Sequence, residues 1–220
     1  MNGCTSLNLV LGMATVFLAT HGQMQWAALC LIGSVVWDAA DGFLARRWQV
    51  ASEFGAQLDS LADMTSFAVG GGAFVYGWFE PHLPMWVVAP LACWFALCGG
   101  WRLARFNVGP KLVGEFYGLP TTAVATLLSV LYLTGAQLAC WPGVVLAAVL
   151  AWLMVSPLPY PKYTRFAELP WWMLVTLPLI SWYRFYVTIW TLAVMYLLSG
   201  PLIWWRRRQL EIDGTAVLPG

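Results

Sequence analysis

The feature that most restricts the fold is a succession of apolar runs separated by short polar breaks. The runs cover roughly 5–20, 24–45, 57–79, 84–104, 118–138, 142–156, 169–181 and 185–205. A membrane-spanning helix needs about 20 predominantly apolar residues, and most of these runs approach that length. Only 10% of the 220 residues are charged and 60% are hydrophobic, against about 25% charged in an ordinary soluble domain. The chain therefore reads as all-α: a polytopic transmembrane helical bundle of about eight spans, six to eight because the sixth and seventh runs are short. Residues 1–205 form a single transmembrane domain in this reading, and 206–220 a short cytoplasmic tail.

Sidedness follows from the basic residues. With eight spans and both termini on one side, Arg46, Arg47, Arg102, Arg105, Lys111, Lys162, Arg165, Arg206, Arg207 and Arg208 fall on that side, and only Arg184 on the other. Lys and Arg mark the cytoplasmic face, so both termini are expected there, in the cytoplasmic (inner) membrane. Glu80-Pro81-His82-Leu83-Pro84 and Pro157-Leu158-Pro159-Tyr160-Pro161 read as connections, because proline runs resist helix. No Lys or Arg precedes Arg46, which argues against a cleaved signal peptide with a basic n-region. The five cysteines show no paired spacing and read as packing residues. Two isolated histidines do not make a zinc site. A net charge of +1 gives no reason to expect nucleic acid.

Against this background the stretch DAADGFLARRWQVASEFGAQLDSLAD, residues 38–63, stands out. It holds Asp38, Asp41, Asp59 and Asp63, and the only other aspartate is Asp213. Asp38 and Asp41 are three apart near the inner end of the second run, and Asp59 and Asp63 four apart at the inner start of the third. Each pair thus shares a helix face. Two antiparallel helices with a short connection can point all four carboxylates into one space. Gly42, Ala45, Gly55, Ala62 and Ser66 lie beside them and leave room for something bulky. Buried carboxylates are unfavourable by about 2.5–3.5 kcal/mol each at membrane depth, and four together repel. Such a cluster persists with a cation, and oxygen-only ligands favour magnesium, manganese or calcium. Magnesium usually shares its ligands with a substrate's phosphates. The residues point to one or two divalent ions and a phosphate-bearing substrate. Interfacial charges paired with Arg46, Arg47 or Arg102 are the plainer reading of any one such aspartate, but fit four at this spacing poorly.

The stretch reads D-x-x-D-G-x-x-A-R-x8-G-x-x-x-D-x-x-x-D, and it resembles the signature of the CDP-alcohol phosphatidyltransferases at every fixed position. The resemblance implies a CDP-linked lipid and divalent metal ions bound by the two motif helices, attack of an alcohol on the lipid-side phosphate, and departure of CMP. It implies Asp38, Asp41, Asp59 and Asp63 as metal ligands, with Asp63 also the general base. It implies Gly42, Ala45 and Gly55 as room for the nucleotide, Arg46 near the diphosphate, Asn8 among the CDP-lipid contacts, and a tendency to homodimers.

Further segments bear on the acceptor. Residues 101–107 read WRLARFN, 116–120 FYGLP and 155–161 VSPLPYP. The chain begins with an N-x-x-T-x-x-N-x-x-x-G pattern at Asn2, Thr5, Asn8 and Gly12. Together these are similar to the membrane-embedded phosphatidylserine synthases of bacteria and archaea, from the N-terminus to about residue 166. One departure is Thr121-Thr122, where a second proline often follows GLP. The resemblance implies CDP-diacylglycerol and L-serine as substrates. Arg102 and Arg105, three apart on one side of the fourth helix, suit a carboxylate or phosphate in two-point geometry, and Asn107 and Lys111 extend the same segment. As plain helix-end anchors they would need no ligand. Arg206-Arg207-Arg208 beside Trp204-Trp205 reads as such an anchor, attracted to anionic membrane lipid.

Two alternatives are weighed. Another acceptor in the same family, glycerol 3-phosphate or inositol phosphate, is not excluded by the number of loop cations, nor is an archaeal ether-lipid donor. A cation transporter would need polar residues at several depths, whereas these carboxylates sit near one face.

Overall fold

The computed structural model describes residues 2–48, 52–108, 115–135 and 140–161, with isolated positions at 197, 200, 201, 204 and 205. Helix is the outcome that apolar chain in a bilayer demands, because a helix satisfies its own amides and carbonyls without water. Helix α1 spans Asn2–Thr20 and α2 spans Met24–Trp48. Between them Gly22 adopts φ 72°, and the Gln23 amide closes back on the Leu18 carbonyl at 2.8 Å. A side chain at that φ would be strained, so glycine ends the helix there.

Helix α3, Glu53–Asp63, starts because Ser52 caps it: the Ser52 backbone is extended and its Oγ accepts from the Gly55 amide at 3.0 Å. Glu53 in the first turn complements the helix dipole. A π-helical turn follows at Met64–Val69, where the Gly70 amide reaches back five residues to the Thr65 carbonyl. Helix α4, Gly70–Phe79, continues the same rod. After the expected turn at 80–84, α5 runs over Met85–Val108. Helix α6, Thr121–Leu133, begins later and ends earlier than the apolar run suggests. Pro120 at its start has extended backbone, and Gly135 at φ 67° terminates it. Helix α7 covers Cys140–Val155.

The all-α expectation needs one amendment. Strands β1, Glu115–Tyr117, and β2, Pro159–Pro161, pair antiparallel, Phe116 opposite Tyr160. The pair joins two motifs the sequence shows separately, FYGLP and VSPLPYP. Gly118, at φ 78°, donates its amide to the Leu158 carbonyl at 2.9 Å and extends the pairing. The described residues fall in two compact units, α1 to α7 in the first and this ribbon in the second.

Within the first unit α1 lies against α2 and against the 53–79 rod, the rod against α5, α5 against α7, and α2 against α6. Small residues permit the closest of these contacts. A Cβ on Gly12 would lie 2.6 Å from Ser66 Cα, one on Gly72 2.8 Å from the Ala92 carbonyl oxygen, and one on Gly99 2.6 Å from Ala68 Cβ. Packing of this kind substitutes for a hydrophobic drive that lipid does not supply. Phe67, Phe74, Phe95, Leu31 and Leu128 fill the interior, while Trp26, Phe43, Trp86, Trp101 and Trp141 are exposed. That exterior suits lipid rather than water.

Among the described residues three helical segments are long and apolar enough to cross a bilayer: Gly3–Thr20, Met24–Ala45 and Met85–Val108. Thr121–Leu133 and Trp141–Val155 are apolar but shorter. The first six apolar runs are thus all helical, whereas the run at 169–181 and nearly all of that at 185–205 lie outside the described residues.

Candidate active site

The site is built where the second half of α2 and the last two turns of α3 bring their aspartates together, with α1 packed against both helices. Asp38 on α2 and Asp59 and Asp63 on α3 converge: one carboxylate oxygen from each lies within 4.8 Å of the other two. The i, i+4 spacing of Asp59 and Asp63 keeps both on one face of α3. The Asp59 and Asp41 charges repel that of Asp38, and the Asp41 charge that of Asp59. The Arg102 guanidinium on α5 attracts both Asp38 and Asp63.

Asp41 differs from the other three. It is 4% exposed, and its Oδ2 accepts a hydrogen bond from Thr5 Oγ1 on α1. Its Oδ1 is buried with no hydrogen-bond partner among the described residues. Three of the four motif aspartates thus form the tight group, and the fourth is held beside it.

Asn8 is fully buried, and its Nδ2 donates to Asp63 Oδ1 at 3.2 Å. Its backbone carbonyl accepts from Ser66 Oγ at 2.8 Å and Ser34 Oγ at 3.4 Å, which ties α1 to the π-helical turn and to α2. Asn8 was expected at the CDP-lipid, and the contact seen is with the aspartate. Sequence reading missed Thr5 as a partner of the site. The signal was present, since Thr5 and Asn8 stand three apart on one face of a helix with few polar residues.

The WRLARFN segment spreads its polar groups to three elements. Arg102 Nη1 donates to Thr121 Oγ1 at 3.3 Å, with its guanidinium 5.8 Å from the Phe106 ring centroid. Arg105 Nη1 donates to the Val155 carbonyl at 2.8 Å. Asn107 Nδ2 donates to Ser60 Oγ at 3.0 Å. Of the four residues expected near the acceptor, Arg102 acts by its charge on Asp38 and Asp63, and Lys111 lies outside the described residues. Gly42 and Ala45 are partly exposed late in α2, Gly55 is buried in the first turn of α3, and Arg46 stands in the last turn of α2.

The donor set fits a hard divalent cation. It is all oxygen, it concentrates negative charge, and two buried oxygens, Asp41 Oδ1 and Asn8 Oδ1, have no hydrogen-bond partner among the described residues.

A bundle of apolar helices with a cluster of carboxylates between two of them defines a membrane protein with a candidate cation site. The chain belongs to the CDP-alcohol phosphatidyltransferase family, which its residues 2–158 match. It is 35% identical over 160 residues to the CDP-diacylglycerol–serine O-phosphatidyltransferase of Methanocaldococcus jannaschii, covering 72% of each chain. It is 32% identical over 159 residues to the archaetidylserine synthase of Methanothermobacter thermautotrophicus, covering 71% of this chain and 66% of that one. It is 26% identical over 160 residues to the CDP-diacylglycerol–serine O-phosphatidyltransferase of Bacillus subtilis, covering 73% and 88%.

Proposed function

We propose that this chain transfers a phosphatidyl group from CDP-diacylglycerol to the hydroxyl of L-serine, giving phosphatidylserine and CMP. The observation that carries the reading is the convergence of Asp38, Asp59 and Asp63 within 4.8 Å, in a chain similar to two named serine O-phosphatidyltransferases.

Asp38, Asp41, Asp59 and Asp63 would hold divalent ions, magnesium or manganese. Such ions, when bound, offset the charge of the carboxylates and diphosphate and so favour the departure of CMP. The rest falls to the chain's own residues. Gly42, Ala45 and Gly55 leave room for the nucleotide, and Arg46 offsets the diphosphate charge. Arg102, with Arg105, Asn107 and Lys111 in the same segment, receives the serine carboxylate or the lipid phosphate. Asp63 accepts the proton of the serine hydroxyl as the new oxygen–phosphorus bond forms. The phosphorus–oxygen bond to the CMP moiety breaks, and CMP leaves with the bridging oxygen.

The same reading takes residues 1–205 as one eight-span domain with a cytoplasmic tail at 206–220. Both termini and the aspartates face the cytoplasm, and two copies pair as a homodimer. The ten-to-one distribution of Lys and Arg supports that sidedness.

Purified protein in detergent, given CDP-diacylglycerol and manganese, should release CMP with L-serine and not with glycerol 3-phosphate or inositol phosphate. Equal turnover with those acceptors would remove serine from the assignment and leave the family reaction in place. The likeness to an archaetidylserine synthase favours one further arm, an ether-lipid CDP donor, and the better of the two donors names the lipid.

A further inference from the structure

Helix α1 carries none of the motif aspartates, yet two of its side chains meet two of them. Thr5 donates to Asp41 on α2, and Asn8, one turn on, donates to Asp63 on α3. Thr5 is 2% exposed and Asn8 0%, so no surface water competes for either bond. The Asn8 amide turns its nitrogen toward Asp63. Each bond occupies one oxygen of its carboxylate. In Asp41 the other oxygen is left buried with no hydrogen-bond partner among the described residues. A carboxylate held by one oxygen presents the second in a set direction, as outer partners of metal ligands do.

Backbone contacts tie α1 to both motif-bearing segments. The Asn8 carbonyl takes the hydroxyls of Ser34 and Ser66, and Gly12 lies directly against Ser66. These contacts use backbone, so they survive replacement of the Asn8 side chain.

We propose that Thr5 and Asn8 are positioning residues: α1 orients Asp41 for cation binding and Asp63 for proton transfer, and Asn8 acts through Asp63 and not by contact with the CDP-lipid. The inference rests on the phosphatidyl-transfer reading for what Asp63 does, and on geometry alone for what holds Asp41.

The test compares Thr5→Val, Thr5→Ser and Asn8→Leu with the unaltered full-length protein in detergent. Manganese affinity is read from the electron paramagnetic resonance of free Mn2+, and CMP release is followed for kcat and KM. Thr5→Val keeps the shape and loses the hydroxyl, and manganese affinity should fall by about 10–100-fold, the range for lost outer partners of metal ligands. Thr5→Ser retains the donor and should restore affinity to within about threefold of the unaltered protein, a rescue that a packing role alone would not produce. Asn8→Leu should lower kcat by about 10–100-fold while the KM for CDP-diacylglycerol moves less than about threefold. Unchanged manganese affinity in Thr5→Val overturns the role of Thr5. A raised KM for CDP-diacylglycerol with unchanged kcat in Asn8→Leu overturns that of Asn8 and makes it a lipid contact. If the unaltered protein releases no CMP, the transfer reading fails separately, and the manganese comparison of the two Thr5 variants still decides the positioning of Asp41.

Discussion

Asn107, one residue from the end of α5, donates its side-chain amide at 3.0 Å to the hydroxyl of Ser60, the residue directly after Asp59. The bond links the segment expected to receive the acceptor with the helix that carries Asp59 and Asp63. Both side chains are exposed or partly so, and such a bond contributes about 0.5–1.5 kcal/mol net. Asn107→Ala and Ser60→Ala should each lower CMP release by no more than about tenfold, and the double variant should be no worse than the worse single one. Multiplying losses would mean that the two residues act separately.

In the proposed reaction Asp63, whose Oδ1 accepts from Asn8, takes the proton of the acceptor hydroxyl. Asp63→Asn preserves shape and removes the proton acceptor, so CMP release should fall by about 10²–10⁴-fold. Turnover near the unaltered rate would show that another group takes the proton.

Arg102 reaches Thr121 and also exerts its charge on Asp38 and Asp63. Lysine keeps the charge and loses the planar fork. Arg102→Lys should raise the KM for serine by about tenfold, as expected for one weakened charged hydrogen bond, and leave the KM for CDP-diacylglycerol nearly unchanged. An unchanged serine KM in initial-rate measurements would reduce Arg102 to a tether between α5 and α6.

Gly12 stands where α1 crosses the π-helical turn, and a Cβ there would come 2.6 Å from Ser66 Cα. Alanine in a helix is otherwise favoured over glycine by about 0.5–1 kcal/mol, so the sign of the effect is diagnostic. Gly12→Ala should lower the melting temperature in detergent, by overpacking of about 1–3 kcal/mol. Gly3→Ala, with nothing within 4 Å of the new Cβ, should not. A Gly12→Ala protein as stable as its parent would contradict the close crossing.

Chelation should stop turnover without unfolding the bundle, because buried apolar side chains pack the helices against one another. With EDTA, CMP release is expected to cease while far-ultraviolet circular dichroism is unchanged, and manganese or magnesium should restore it. Turnover that persists after exhaustive chelation would show that the carboxylates work without a divalent ion.

Much of this protein is legible along the chain, because the information is local. Apolar run length determines which described segments are helical, and caps or turns at Gly22, Ser52, Pro120 and Gly135 mark several of their ends. The 3.6-residue period places Asp59 and Asp63 on one face and Thr5 and Asn8 on another. The spacing of the aspartates identifies the family. Distances between helices are different, since they depend on side chains far apart in sequence. Nothing in the period says that Asp41 turns to Thr5 while Asp38, Asp59 and Asp63 draw together. Nothing in it says that Arg102, Arg105 and Asn107 part toward Thr121, Val155 and Ser60. Those outcomes follow from how closely α1, the 53–79 rod and α5 approach one another, which the contacts at Gly12, Gly72 and Gly99 decide. The helices and the aspartate spacing are local properties of the chain, whereas which carboxylate oxygens Thr5 and Asn8 hold depends on how closely the helices pack.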